Sequence, residues 1–404
     1  MKLADVKREV AKYMYLEDTG VINVTIATIL SNRLSLDEKI WLAIVGESSG
    51  GKSQIINPIL KSDESYFIKV DDITENTFLS AKAGSDDPSL LTEKIKNNML
   101  VFSDLTVLFS RNAESRNAVL SQFRMIFDGH MTKHTGNGKK EWKGRMGVLA
   151  GCTPSIYRHF EEVADMGERF IYYRLRSNDP QKATELVLNR MIFGNDLDSS
   201  LSMVYDEYIR DVTSHAESIK DDIVISDDMK QHITQIAMFA EQVRTPVQID
   251  KYSHRVMEIP ISAMPMRVAL QLKSIAKGLI AMNMYEGSDV VDVKRALDWV
   301  AYSLADETKR KILEIMCALD WESGETVTKQ QIGDYIGLDT QVAGQLIQKL
   351  TATKIVDRTS SGTHQYKLAK KEYHEILRRT VNVQDVEIPM ERDETPEETL
   401  ARSF

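Results

Sequence analysis

The chain has 404 residues, of which 42% are hydrophobic and 27% are charged, the mix of a folded globular protein with a sizeable core. Its length predicts two or three domains. The 51 lysine and arginine residues against 60 aspartate and glutamate residues give a formal charge of −9. Such an acidic total excludes a protein that coats nucleic acid over its whole surface.

The first residues, MKLADVKREVAKYMY, are charged throughout, so we expect no signal peptide. No stretch approaches the roughly 18 uninterrupted apolar residues that a membrane span needs. The two cysteines, Cys152 and Cys317, are too few for a disulfide scaffold or a zinc site. We therefore expect a protein of the reducing cytoplasm, without a membrane partner.

Residues 1–35 have apolar positions at helical spacing and predict an N-terminal helical segment. Residues 36–180 then alternate between short apolar runs and amphipathic helical stretches. The apolar runs have the pattern of strands buried on both faces, and they lie at 40–46, 65–70, 98–104, 145–154 and 169–176. Buried strands separated by helices predict an α/β domain with a parallel sheet.

The second half of the chain is mainly helical in period. Residues 181–305 contain five helical stretches and no strand signal, which predicts an all-helical domain. Residues 306–372 have the pattern of three helices and two short strands around a Ser-Ser-Gly turn, which is the order of a winged helix. Residues 373–404 form a tail that is acidic towards its end, and we expect it to be disordered.

The run AIVGESSGGKSQII at 43–56 breaks an apolar strand with glycine, serine and lysine. Its centre fits the phosphate-loop pattern G-x-x-x-x-G-K-S with Gly46, Glu47, Ser48, Ser49, Gly50, Gly51, Lys52 and Ser53. Glycines let backbone N–H groups point at phosphate oxygens, and the following helix adds its positive N-terminal end. In this pattern Lys52 reaches the β- and γ-phosphates and Ser53 ligates Mg²⁺. A glycine-rich turn is the alternative, which the preceding strand and the following helix disfavour.

Asp104 ends the apolar run at 98–104, where an acid that holds the magnesium shell belongs. A helix cap at the strand end is the alternative interpretation. Residue 105 is leucine, so no glutamate follows to activate water. The activating carboxylate is then Asp104 itself or comes from elsewhere, with Glu47 as one option.

The order of the pieces resembles the MCM-like branch of the AAA+ ATPases, in the shortened forms carried by phages and other mobile elements. The matching pieces are the phosphate loop, the acid at a strand end, a basic insert, GVLAGCTP, GERF, a helical domain and a winged helix, across about residues 20–370. The resemblance implies ATP as the nucleotide, an AAA+ core at 36–180, a helical lid at 181–305 and a winged-helix domain at 306–372. Two features depart from the family: Ser103-Asp104 replaces its paired Asp-Glu, and about 35 helical residues replace its large N-terminal domain.

The resemblance also implies catalytic roles for three residues beside Lys52 and Asp104. Thr153, in GVLAGCTP, takes the place of the polar sensor that contacts the γ-phosphate or the attacking water. Arg169, in GERF, matches the arginine finger that is donated to the nucleotide of a neighbouring subunit, and Arg267 matches a second sensor arginine on a lid helix. Without the family pattern, a turn cap and surface ion pairs are the preferred interpretations.

Residues 130–145 form a basic insert with a GNG turn at 136–138 that predicts a hairpin. Its cations are Lys133, Lys139, Lys140, Lys143 and Arg145. The insert resembles the pore hairpin with which MCM-like helicases hold single-stranded DNA, where lysines contact phosphates regardless of sequence. A solvated loop is the alternative, and we expect Trp142 to pack at the hairpin's root.

In the predicted winged helix, Lys349 and Arg358 are further candidates for DNA contact, and protein docking is the alternative. The resemblance as a whole implies an ATP-driven DNA helicase that assembles into homo-hexamers. It would act on single-stranded or forked DNA in replication, with a loader or a primase as a candidate partner. Two other classes stay open: a nucleotide-switched DNA-binding regulator, and an ATPase that remodels proteins.

Overall fold

A computed structural model gives the fold of the chain. The residues that it describes are 1–48, 50–80, 89–92, 95–136, 138–159, 169–176, 179–190, 197–250, 252–253, 255–359 and 365–390. The chain divides into two compact units, Met1–Ala237 with Met264–Leu304, and Met238–Ala263 with Ala305–Phe404. The second unit thus begins near the expected boundary at 306, but it also includes residues 238–263 of the predicted helical domain.

Two helices, α1 (Leu3–Tyr13) and α2 (Gly20–Leu34), open the first unit as the periodicity predicts. Helix α2 is buried on nearly every side, because apolar or small residues occupy all of its faces. A later helix crosses it closely: a Cβ built on Gly278 would lie 2.3 Å from the carbonyl oxygen of Ala27. Only glycine permits this approach, so the contact fixes α2 in the core.

The five predicted buried strands form one parallel sheet, which confirms the α/β interpretation. The strands are β1 (Trp41–Val45), β2 (Phe67–Lys69), β3 (Met99–Phe102), β6 (Gly147–Cys152) and β7 (Phe170–Arg174). Their order across the sheet is β2-β3-β6-β1-β7. A separate antiparallel hairpin consists of β4 (His130–Thr135) and β5 (Gly138–Lys143). This is the hairpin that the GNG turn predicts, and it lies directly before β6 in the chain.

Helices α3 (Lys52–Ser62), α4 (Thr106–Phe109) and α5 (Ala113–Phe127) connect the strands. An aromatic cluster packs α5 on the sheet, because the Trp41 ring meets the Phe123 and Phe127 rings edge-on at 5.5 and 5.1 Å. The Trp41 indole N–H donates to the carbonyl of Met146 at 2.7 Å, which satisfies its buried polar atom.

The sequence predicts helices between residues 181 and 305, and the structure has helices there. They are α6 (Pro180–Arg190), α7 (Leu197–Ser218), α8 (Asp227–Arg244), α9 (Met266–Glu286) and α10 (Val293–Tyr302). Among the described residues of this stretch, β pairing is limited to a bridge between Ile249 and Val256. No helix in the described parts of the chain has the length and apolar character needed to cross a bilayer.

From Ala305 onwards, the described residues of the second unit form four α-helices and a small antiparallel sheet of order β8-β10-β9. In chain order its elements are α11 (Glu307–Ala318), β8 (Val327–Thr328), α12 (Lys329–Ile336), α13 (Thr340–Ala352), β9 (Val356–Arg358), β10 (Gln365–Leu368) and α14 (Lys371–Thr380). Three helices and then two strands agree with the predicted order, except for the two-residue strand β8, which was not predicted. The winged-helix identification stays a prediction. The expected Ser-Ser-Gly wing tip lies outside the described residues.

Helix α14 is a correction to the expected tail, because disorder was predicted from residue 373. Tyr373, Ile376 and Leu377 recur at helical spacing and are buried, so this segment packs as an amphipathic helix. The acidic end of the tail, residues 391–404, lies outside the described part of the chain.

Candidate active site

The glycine-rich segment forms a tight loop between β1 and α3. The Gly46 N–H still donates to the carbonyl of Cys152 at 3.1 Å, and Gly50 N–H then donates back to Glu47 O at 3.0 Å. A Cβ on Gly50 would lie 2.9 Å from that same oxygen, and Gly51 has a left-handed φ of 89°. Both positions therefore require glycine. The loop ends where α3 begins, so free helix N–H groups face the loop.

Lys52 is buried inside this loop. Its Nζ donates to the carbonyl oxygens of Gly46 at 2.7 Å and Glu47 at 2.6 Å. Burial lowers the pKa of Lys52 below the usual 10.5, while the negative charge of Asp104 acts in the opposite direction. A desolvated ammonium group of this kind favours a nearby anion, because the anion would replace the stabilisation that water no longer supplies.

Asp104 and Thr153 lie at the same edge of the sheet as this loop. They follow β3 and β6, and β3, β6 and β1 are neighbours that all run in parallel. The Asp104 carboxylate is exposed, and its Oδ1 accepts from Thr106 N–H at 2.8 Å. Asp104 thus lies one residue before the N-cap position of the short helix α4, which Leu105 occupies, and its carboxylate accepts from the first N–H of that helix. It also lies close enough to Lys52 to affect that residue's pKa.

Thr153 is held by two residues that the sequence did not single out, Thr106 and Ser155. Its backbone N–H donates to Thr106 Oγ1 at 2.9 Å, and its hydroxyl lies 2.6 Å from the hydroxyl of Ser155. The signal in the sequence was weak: a threonine stands two residues after Asp104, and a serine two residues after Thr153.

The oxygen donors at this edge fit Mg²⁺. Ser53 presents an exposed hydroxyl in the first turn of α3, and Asp104 presents an exposed carboxylate. Mg²⁺ bound with phosphates needs only one or two protein oxygens, because phosphate oxygens and water supply the rest. The described residues contain no cluster of three or more His, Cys, Asp or Glu side chains. Of the neighbours Ser103 and Asp104, Asp104 is the better candidate for the metal ligand, because Mg²⁺ prefers a charged carboxylate to a neutral hydroxyl.

Arg169 lies at the opposite edge of the sheet, because it precedes Phe170, which pairs with Trp41 at the start of β1. Its Nη2 lies 3.1 and 3.2 Å from the two carboxylate oxygens of Asp128. Its guanidinium carbon lies 5.4 Å from the centre of the Phe127 ring. Burial lowers the pKa of Arg169, while Asp128 acts against this.

Arg267 joins Arg169 at this edge. Its guanidinium carbon lies 5.7 Å from the centre of the same Phe127 ring, and its charge contributes to the lowered pKa of Arg169. Strand β1 separates both arginines from the phosphate loop, and five residues of strand span roughly 17 Å. Neither arginine can therefore reach a nucleotide in the loop of its own chain, so a role at such a nucleotide requires another copy.

The basic hairpin has two different faces. On one face Trp142 is buried and its indole N–H donates to Ile95 O at 2.6 Å, which confirms that it packs at the root. Lys133 shares this face, and its Nζ donates to Glu75 O, Asn76 Oδ1 and Leu79 O at 3.0, 2.8 and 2.9 Å. Lys133 thus anchors a neighbouring loop, a role that differs from the predicted DNA contact.

The other face of the hairpin is exposed and carries Lys139, Glu141 and Lys143. Lys139 forms an ion pair with Glu141, and that contact lowers the pKa of Glu141. Lys140 lies on the same face as Lys133 and is partly exposed. The predicted basic residues are therefore divided between an anchoring face and a solvent face.

Two candidates from the sequence belong to the second unit. Lys349 lies in the last turn of α13 and is half-buried, whereas Arg358 ends β9 and is exposed. Among the loop positions, Glu47 and Ser48 are exposed, and Ser49 lies outside the described residues.

No protein-family model matches the chain. No curated protein matches it in sequence either. Among solved structures, it is similar to a crystal structure from Cytophaga hutchinsonii described as a candidate ATPase, with 14% identity and a TM-score of 0.43. That match covers 86% of this chain and 93% of the other. A likeness at this level assigns neither a family nor a function.

Proposed function

We propose that this protein binds ATP with Mg²⁺ at the loop Gly46–Ser53 and hydrolyses it. The observation that carries the proposal is the buried ammonium of Lys52 inside a tight glycine loop, at a helix N-terminus and beside Asp104. Loop N–H groups, the helix end and Lys52 would bind the phosphates. Ser53 and Asp104 would hold Mg²⁺, which neutralises charge on the β- and γ-phosphates.

The second part of the proposal is that the active form is an assembly of copies in a ring, which the family resemblance suggests is a hexamer. Arg169 and Arg267 support it, since both lie at the sheet edge opposite the chain's own loop. Joining this edge to the nucleotide edge of the next copy is a head-to-tail contact, and such contacts form a ring when the rotation between successive copies closes. An arginine donated across the contact would neutralise charge on the transferring phosphoryl group.

The third part is that hydrolysis drives movement along single-stranded or forked DNA, as in an MCM-like helicase. The solvent face of the hairpin supports it, because Lys139 and Lys143 outnumber Glu141 there and give a local excess of positive charge in a chain whose net charge is −9. The second unit would be a winged helix that contacts DNA through Lys349 and Arg358 or docks a loader or primase. Lys133 is left out of this DNA surface because of its anchoring contacts.

A nucleotide-switched DNA-binding regulator is the second candidate. Leu105 favours it, because hydrolysis without a glutamate beside Asp104 would be slow and a bound state would persist. A strand-displacement assay on a forked duplex separates the two. Unwinding that requires ATP supports the helicase, whereas nucleotide-dependent DNA binding without unwinding supports the regulator.

The central test is Lys52→Ala, with Lys61→Ala in the same helix as the matched control. We expect Lys52→Ala to weaken binding of a fluorescent ATP analogue by about tenfold or more and to abolish hydrolysis, because a charge-assisted contact to phosphate is lost. Lys61→Ala should retain both. Equal nucleotide binding by the Lys52→Ala variant and the unmodified chain would refute the proposed site.

A further inference from the structure

Thr106 connects the two strand ends that carry Asp104 and Thr153. Its backbone N–H donates to Asp104 Oδ1 at 2.8 Å, and its hydroxyl oxygen accepts from Thr153 N–H at 2.9 Å. The adjacent Leu105 N–H donates to the carbonyl of Gly151 at 2.8 Å, which ties the same two segments together. Thr106 and its neighbour Leu105 therefore hold the acid and the sensor position together, and Thr106 is the one that contacts both Asp104 and Thr153.

The hydroxyl of Thr106 also belongs to a chain of three hydroxyl groups. Thr153 Oγ1 lies 3.4 Å from Thr106 Oγ1 and 2.6 Å from Ser155 Oγ, and all three residues are partly exposed. Each hydroxyl can both donate and accept, so such a chain can hold a water molecule in one orientation. The position after Asp104, where a glutamate would activate water, holds Leu105, which is 3% exposed and has no polar atom to offer.

We propose that Thr106 is a positioning residue for ATP hydrolysis. Through the chain Thr106–Thr153–Ser155 it orients the attacking water beside Asp104, in place of the missing glutamate. This inference rests on the proposed function, because it concerns water at the same nucleotide site.

The hydrolysis step balances without a proton being lost from these hydroxyls. The water oxygen forms a bond to the γ-phosphorus while the bond from that phosphorus to the β–γ bridging oxygen breaks. ADP leaves with the electron pair of the broken bond, one water proton stays on the inorganic phosphate and the other passes to solvent. Hydroxyl groups orient water but are poor proton acceptors, so hydrolysis at this site would be slow compared with a site that has a glutamate.

Thr106 contacts Asp104 through its backbone and Thr153 through its hydroxyl, so a substitution can remove the second contact and keep the first. Asp104 is anchored by the backbone N–H of Thr106, which any replacement other than proline retains. Thr106→Val therefore removes only the hydroxyl that holds Thr153, while Thr106→Ser keeps it. The valine variant should lose water orientation and keep the metal acid in place.

The experiment measures binding of ADP and of ADP with aluminium fluoride, a mimic of the transferring phosphoryl group, to full-length protein. It also measures kcat and KM for ATP. We expect Thr106→Val to bind ADP as the unmodified chain does, but to lose about tenfold or more in affinity for the aluminium fluoride complex and in kcat, with KM nearly unchanged. Thr106→Ser should restore both within about threefold. Thr234→Val, at an exposed helix position in the same unit, is the matched control, and thermal melting checks that all variants fold.

The outcomes distinguish the two proposals. If Thr106→Val binds the aluminium fluoride complex as tightly as the unmodified chain, the positioning role is refuted and the ATP site stands. If Thr106→Ser fails to restore the affinity, the hydroxyl is not the group responsible and the inference is refuted as well. If the unmodified chain binds no ADP, the proposed function fails, and the inference fails with it.

Discussion

Lys52 is the residue of the candidate site whose acidity the fold changes. Two loop carbonyls accept from its ammonium, yet burial still lowers its pKa, so the folded chain holds this proton less tightly than the unfolded chain does. A buried charged group such as Lys52 lowers the free energy of unfolding as long as no ligand binds to it. Such a cost is typical of functional sites, where binding is favoured over the stability of the free protein.

The first prediction concerns pH and the comparison of the unmodified chain with Lys52→Met. Because the pKa of Lys52 is lower in the folded state than the usual 10.5, the unfolded state binds more protons as pH rises through that lowered value towards 10.5. The free energy of unfolding of the unmodified chain should therefore rise relative to that of Lys52→Met across this window. Urea unfolding of both proteins at pH 7.5 and pH 10 measures the difference. A difference that stays constant or falls with pH would contradict the burial of the charge.

At the scale of elements, the hairpin β4–β5 shows what sequence could and could not predict. The GNG turn and the cluster of lysines predicted a basic hairpin, since both signals are local. The anchoring of Lys133 could not be predicted, because its acceptors lie 54 to 58 residues away in sequence. The contact between Thr106 and Thr153 could not be predicted either. These residues are 47 positions apart in the chain, and they meet only because β3 and β6 are neighbours in the sheet.

The sequence predicted the elements with a clear hydrophobic pattern, and it missed helix α14. Strands β1, β3 and β6 of the parallel sheet are apolar or small and buried throughout, so their burial is evident from the sequence, whereas β2 and β7 each end on a basic residue. Helix α14 was missed because charged residues surround its buried Tyr373, Ile376 and Leu377. A short amphipathic helix of this composition becomes stable only through packing on its own unit.

The second prediction separates the two faces of the hairpin. Lys139→Ala with Lys143→Ala removes charge from the solvent face, so DNA stimulation of ATP hydrolysis should fall and basal hydrolysis should persist. The salt dependence of DNA binding should become shallower, because fewer counterions are released. Lys133→Met should instead lower the free energy of unfolding by about 0.5–1.5 kcal/mol, since the loop at 75–79 loses its hydrogen bonds to the hairpin while water can still reach its acceptors. DNA stimulation that is unchanged in the Lys139→Ala, Lys143→Ala variant would remove the hairpin from the mechanism.

On the scale of the whole molecule, the parallel sheet of the first unit has two edges that carry different candidate residues. The carboxyl ends of β1, β3 and β6 carry Lys52, Asp104 and Thr153, and the amino end of β7 carries Arg169. One chain therefore contains both halves of the proposed catalytic site but cannot join them. Activity would then depend on assembly, and ATP hydrolysis should rise more steeply than protein concentration in a dilution series.

The third prediction uses this separation of halves. Lys52→Ala and Arg169→Ala should each be inactive alone, because every contact between copies lacks either the lysine or the arginine. In an equal mixture, about one contact in four joins an intact loop of the Arg169→Ala chain to an intact Arg169 of the Lys52→Ala chain. We therefore expect hydrolysis to return to about a quarter of the unmodified rate after mixing. Arg210→Ala, which removes an exposed arginine from helix α7, is the matched control and should be active alone. A mixture as inactive as its components would show that Arg169 does not act on the nucleotide of a neighbouring copy.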